Sequence, residues 1–209
     1  TWLHRLYERL GKSIQSIDRQ RDSFARRAET ERLVLQRAGH VNGGTAWADN
    51  CVRLLQPGVR LHPCGLILRD SFYREPEWSA DNCRPHSIFT LYTYPIKGFH
   101  YLLEAFAQVV KEYPDATLSV TGRSFFASDF KRRLRQGSYE KYLAKLAKKY
   151  CLEEKIQFLG DLSAPEMKQA FLDANVFALT STMENSPNSL GEAMVLGVPS
   201  VAADVGGVR

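Results

Sequence analysis

Ser181-Thr182-Met183-Glu184-Asn185-Ser186-Pro187-Asn188-Ser189-Leu190-Gly191-Glu192-Ala193-Met194 decides how the rest of the chain is read. Residues 175–180, just before it, form a short apolar run that predicts a buried parallel strand. After it, Gly197 and Pro199 stop a helix, and Ser200-Val201-Ala202-Ala203 begins a second apolar run. The polar insert at 184–191 therefore sits at the C-terminal end of a strand and opens a helix. In an open α/β sheet that edge binds ligands. A helix N-terminus adds unpaired N–H groups and a positive dipole end, both suited to phosphate.

Two carboxylates, Glu184 and Glu192, bracket this insert with seven residues between them. Glu184 falls where the strand ends and is placed to face a crevice. Glu192 falls in the first turn of the expected helix. Carboxylate oxygens accept hydrogen bonds from sugar hydroxyls, and the backbone N–H groups between the two glutamates suit a diphosphate. One loop is thus equipped for the sugar, phosphate and ribose of a nucleotide-sugar. A plainer role also fits: Ser189-Leu190-Gly191-Glu192 matches the S-x-x-E capping box, in which Glu192 would bond only a backbone N–H. Glu184 taken alone reads as a solvated loop acid.

Working outward, the periodicity is plain from Ser87 onward. Strands are expected at 88–94, 116–121, 156–160, 175–180 and 200–203, with helices between them. Ser163 with Glu166 three residues later predicts a capped helix. The alternation implies an α/β domain with a Rossmann-like parallel sheet and helices on both faces. Right-handed crossovers bring the loops at 95–98, 122–126, 160–163, 182–189 and 204–207 to one edge. Lys97 lies in the first of them, where its point charge is placed to reach a diphosphate; by itself it reads as a solvated lysine.

The earlier half is less regular. Apolar residues at helical spacing between Trp2 and Leu35 predict one or two amphipathic helices. Residues 39–62 read as strand, helix capped by Thr45, Pro57-Gly58 turn and strand. Residues 66–86, with Phe72, Tyr73, Pro76 and Trp78, have no clean period and read as a linker. His40, beside a Gly-rich turn, reads as structural or exposed.

The 209 residues are 44% hydrophobic and 24% charged, which predicts a soluble globular protein of one or two domains. No apolar run reaches membrane-spanning length. A start at Thr1 and a stop at Arg209, just after a Gly-Gly turn, are expected of a piece of a longer chain. Cys51, Cys64, Cys83 and Cys151 form no C-x-x-C pair. His62, Cys64, Cys83 and His86 match a zinc pattern poorly, so reduced thiols in a cytoplasmic protein are the simplest account. The net charge of +5 is concentrated at 131–135 and in the first forty residues. It fits solvated helix faces or an anionic membrane surface. Nothing in it resembles a nucleic-acid-binding motif.

Lys97-Gly98 with the helix after it, Glu184-x7-Glu192-Ala193-Met194, Gly197-Val198-Pro199-Ser200-Val201-Ala202 and Asp204-Val205-Gly206-Gly207 together resemble the donor-binding domain of group 1 (family four) retaining glycosyltransferases of the GT-B fold. The resemblance is strong over 87–209 and weaker over 30–86. It implies three regions: 1–65 as the end of an acceptor-side Rossmann-like domain, 66–86 as interdomain linker, and 87–209 as an incomplete donor-binding domain. It also implies transfer of a sugar from a nucleotide-diphosphate sugar, a co-substrate, to an acceptor hydroxyl of a glycan or lipid-linked sugar. Anomeric configuration would be retained, with no metal or resident cofactor.

By position the resemblance assigns Lys97 to the diphosphate and Glu184, the catalytic candidate, to the transferred sugar. Glu192 goes to the ribose, and Asn188, Ser189 and Leu190 offer backbone to diphosphate and sugar. The turns at Gly122 and Gly160 are assigned to the base pocket. Two departures stand out. Relatives carry Gly-Arg where this chain has Leu91 and Tyr92, so another cation must substitute or phosphate binding weakens. Relatives carry Phe-Gly where this chain has Ser186-Pro187, and Pro187 has no N–H to donate. A GT-B sugar-nucleotide epimerase and a non-catalytic nucleotide-sugar-binding module are the alternatives.

Overall fold

The computed structural model describes residues 17–65, 67–92, 94–128 and 136–209. The basic run at 131–135 and the apolar positions Leu3, Leu6, Tyr7, Leu10 and Ile14 lie outside the described residues. The chain divides into two compact units, 1–64 and 65–209.

In the first unit a helix, α1 (Ile17–Arg37), precedes strand β1 (His40–Gly43), helix α2 (Ala46–Leu55) and strand β2 (Arg60–Pro63). The two strands pair in parallel, His40 opposite Arg60 and Gly43 opposite Pro63. Thr45 caps α2 as its sequence position predicts: its Oγ1 accepts from Ala48 N at 3.2 Å. His40 stacks on His62, with Nδ1 and Nε2 2.8 Å apart.

The second unit is built on β3 (Arg84–Thr90), β4 (Thr117–Val120), β5 (Ile156–Phe158), β6 (Ala174–Leu179) and β7 (Ser200–Ala202). All pair in parallel, in the order β5-β4-β3-β6-β7. Helices α3 (Phe99–Glu112), α4 (Ser138–Lys149), α5 (Ala164–Leu172) and α6 (Asn188–Val195) supply the crossovers. Side chains alternate across the strands, so each face feeds its own core. Ile88, Leu118, Val120 and Ala178 pack under α3 and α4 with Leu103, Phe106, Leu143 and Leu146. Phe89, Phe177 and Leu179 pack on the other face with Phe171, Ala193 and Leu196. The expected capping box of α5 is present, Glu166 accepting from Ser163 N at 2.8 Å.

The stretch at 66–86, read as a linker from its lack of period, carries two anchors on the second unit. A short 3-10 turn, Asp70–Tyr73, buries Phe72 against Phe171 and Phe89 in the second core. Trp78 donates from Nε1 to Ala174 O at 2.8 Å, and its backbone N–H donates to Leu196 O at 2.8 Å. Anchoring by two aromatic side chains needs no periodicity, which is why the pattern hides it.

The strand order places the site. From β3 the chain winds outward through β4 to β5, then returns across to β6 and continues to β7. Winding direction reverses between β3 and β6, which makes their C-terminal ends the switch point where open α/β sheets bind ligands. Lys97 follows β3 and Glu184 follows β6.

Candidate functional site

The loop after β3 is fastened to the segment after β6. Thr182 donates from its backbone N to Ile96 O at 2.8 Å and from Oγ1 to the same oxygen at 3.1 Å. Thr180 Oγ1 donates to Lys97 O at 3.2 Å. This approach needs a glycine at Gly98, which has φ +66°; a Cβ there would lie 1.9 Å from Thr180 O. The result puts Lys97 Nζ 2.5 Å from Glu184 Oε1. Ser181, buried at the end of β6, donates from Oγ to the same oxygen at 2.6 Å. Both bonds fall on Oε1.

A second glycine holds the backbone of Glu184. Gly207 N donates to Glu184 O at 3.0 Å. Gly206, at φ +55°, makes that closure possible, since a Cβ there would sit 2.0 Å from the same carbonyl oxygen. The loops after β3, β6 and β7 thus meet at Glu184.

Glu192 is placed differently from its expected position. Helix α6 begins at Asn188 with Pro187 as N-cap, so Ser189 is inside the helix and cannot cap it. Glu192 is the fifth helical residue, and the capping-box role is overturned. Its carboxylate is instead buried and held by both arms of Arg69: Nε donates to Oε1 at 2.8 Å and Nη2 to Oε2 at 2.9 Å. The Arg69 guanidinium also lies 4.6 Å from the Phe72 ring centroid.

Lys97, Glu184, Asn188, Ser189, Glu192 and Arg69 line one open depression of about 610 Å³. The first turn of α6 opens into it, with the backbone N–H groups of Asn188 and Ser189 following the donor-less Pro187. Leu190 turns inward to the second core. Gly122 and Gly160 do not line this depression. They pair with each other, Gly122 N donating to Gly160 O at 2.7 Å, at the ends of β4 and β5. A smaller cavity of about 220 Å³ beneath α5, lined by Ser87, Ile88 and Ala170 among others, contains none of these residues.

Tyr92, at the position where the resemblance calls for an arginine, does not face the depression. It is buried among Phe99 and Phe125, and burial, with the Glu140 carboxylate adding, pushes its phenol up to about 12. A cation there would be stranded in the core. Arg69 is the residue that the sequence does not single out: its partner Glu192 lies 123 residues away. Among the described residues no group of three or more His, Cys, Asp or Glu is placed to hold a metal. None of the four cysteines forms a disulfide.

A Rossmann-like unit of this strand order, with a charged depression at its switch point, has the architecture of the GT-B glycosyltransferases. The chain aligns with a mutant of S. aureus TarM, solved with Fondaparinux, alpha-GlcNAc-glycerol and UDP, at TM-score 0.66 and 18% identity over 85% of this chain and 33% of that one. It aligns with sucrose-phosphate synthase from Thermosynechococcus elongatus at TM-score 0.64 and 24% identity, over 88% and 45%. In sequence it is 30% identical over 114 residues to the putative glycosyltransferase YtcC of Bacillus subtilis (strain 168), covering 54% of this chain. The match spans only about a quarter of that relative, 26% of its length. The family of glycosyl transferases group 1 matches residues 87–209, and the chain belongs to it.

Proposed function

We propose that residues 65–209 form the donor-binding part of a glycosyltransferase that moves a sugar from a nucleotide-diphosphate sugar to an acceptor hydroxyl, retaining anomeric configuration. The observation that carries this reading is the meeting of Lys97, Glu184, Glu192 and the first turn of α6 at the switch point. UDP in the S. aureus TarM complex supports a nucleotide donor.

In this reading Lys97 exchanges its bond to Glu184 for a diphosphate oxygen. The N–H groups of Asn188 and Ser189, with the start of α6, take further oxygens. These donors stabilise the negative charge that develops on the leaving diphosphate. Glu184, freed from Lys97 and held by Ser181, accepts from hydroxyls of the transferred sugar and places its anomeric carbon. Glu192 accepts from the ribose, and the base extends toward the paired turns at Gly122 and Gly160. The nucleotide-sugar is a co-substrate, and no resident cofactor or metal takes part. The acceptor is a glycan or lipid-linked sugar in the cytoplasm. The exposed arginines Arg21, Arg26 and Arg27 of α1 suit an anionic membrane surface, which co-sedimentation with anionic against neutral vesicles tests.

Calorimetric titration of the intact protein with UDP, GDP and ADP tests the site. One nucleotide is expected to bind, and Lys97→Ala to weaken it about tenfold, the worth of one charge-assisted hydrogen bond. Equal affinity in that variant removes Lys97 from the site; no binding of any nucleotide rejects the reading. Donor hydrolysis abolished in a folded Glu184→Ala variant separates an enzyme from a binding module. The anomer of the product, read by proton NMR, tests retention.

A further inference from the structure

We propose that Arg69 is a positioning residue of the donor site, which presents Glu192 to the ribose. The proposal rests on the donor-site reading above and adds a residue to it from outside the sheet.

Glu192 is 5% exposed, and a carboxylate so far from water needs a compensating charge. Arg69 supplies it through a two-pronged contact, one nitrogen on each oxygen. That geometry fixes the carboxylate plane and occupies one lone pair on each oxygen. A carboxylate has about four acceptor sites, so one on each oxygen remains. The acceptor site left on each oxygen points sideways, away from Arg69, so each is open to one ribose hydroxyl. A fully ionised phosphate has no hydrogen to offer there.

The approach of Arg69 is built into the fold. Leu68 lies over the bare Cα of Gly191, where an added Cβ would come within 3.3 Å of Leu68 Cδ1. Phe72 is buried in the second core and supports the guanidinium from below. Arg69 itself is less buried than its partner, with 41% of its side chain exposed against 6% for Glu192. It borders the same depression as Lys97 and Glu184. Its departure to a phosphate would leave Glu192 buried and unpaired, so the direct phosphate role is disfavoured.

The test compares UDP, GDP and ADP with their 2′,3′-dideoxy counterparts by calorimetry on the intact protein, wild type against Arg69→Leu and Arg69→Gln. Wild type is expected to prefer the ribose form of its nucleotide by about tenfold. Arg69→Leu is expected to lose most of that preference while binding the dideoxy form within about twofold of wild type. Arg69→Gln, neutral but still able to donate, covers the case in which the leucine variant does not fold, and its preference is expected to fall several-fold. In turnover of the intact enzyme the variants should raise KM for the donor with kcat little changed. An undiminished ribose preference in either folded variant overturns the proposal. Equal losses for ribose and dideoxy forms also overturn it, because they mean direct contact with phosphate or base. A wild type that binds nucleotide without ribose preference overturns this assignment alone; a wild type that binds none rejects the donor-site reading as well.

Discussion

Replacing Gly98 by alanine separates the cost of a backbone shape from the cost of a position in space, with Gly160→Ala as its partner. Both glycines have a left-handed backbone, φ +66° and +74°. That conformation costs a residue with a Cβ about 1–2 kcal/mol. At Gly160 an added Cβ meets nothing within 4 Å, so the substitution costs only that. At Gly98 the Cβ would stand 1.9 Å from Thr180 O, where ordinary contact needs 3.4 Å or more, so the backbone must move by about 1.5 Å. Such a shift breaks the hydrogen bonds from Thr180 and Thr182 to the loop, each worth about 1 kcal/mol. It also carries Lys97 away from Glu184. Urea unfolding is expected to show Gly98→Ala destabilised by about 4–5 kcal/mol against about 1–2 for Gly160→Ala. Nucleotide affinity should fall about tenfold in Gly98→Ala. If the two variants prove alike in stability, the loop is not held as described.

Phe72→Ala is expected to destabilise the second unit by about 3–5 kcal/mol in urea unfolding, as removal of a buried aromatic does; a change below about 1 kcal/mol would mean that Phe72 does not anchor this stretch. Leu103 is fully buried on α3, so Leu103→Asp strands a charge in the core and should leave no cooperative thermal transition; a cooperative melt like that of wild type would mean the helix face is misplaced. The bonds from Ser163 hold the Glu166 carboxyl below its ordinary value of 4.5. A depressed carboxyl contributes stability that is present above the unfolded value and lost as pH falls through the folded one. The stability gap between wild type and Glu166→Ala should therefore be constant above about pH 5 and close as pH falls below about 4.5; a gap that persists in acid refutes the capping box.

Much of the sheet was legible because its signals are local. Apolar runs such as Val176-Phe177-Ala178-Leu179 and caps at Thr45 and Ser163 act over a few residues, and the structure places them within one or two positions, whereas β3 runs Arg84–Thr90, four residues earlier than the expected 88–94. Lys97 and Glu184 were legible as the ends of such runs. Arg69 was not, because its partner is 123 residues away and a long-range ion pair leaves no periodic trace. The capping alternative for Glu192 fails for a related reason. Ser189-x-x-Glu192 satisfies a local cap rule, but the buried ion pair decides where that carboxylate goes.

The two ion pairs at the depression have a kinetic consequence. Lys97 with Glu184 and Arg69 with Glu192 sum to no net charge. An empty site of this kind exerts little long-range pull on an anion, so capture depends on partner exchange at contact. Donor association should then respond only weakly to ionic strength, unlike encounters guided by a charged cleft. Free phosphate and sulfate, with no hydroxyls to compensate Glu184 once Lys97 leaves it, should compete poorly. On the proposed reading the site filters by chemical completeness: an anion draws Lys97 away when it also brings the sugar that Glu184 can hold, while Arg69 stays on Glu192.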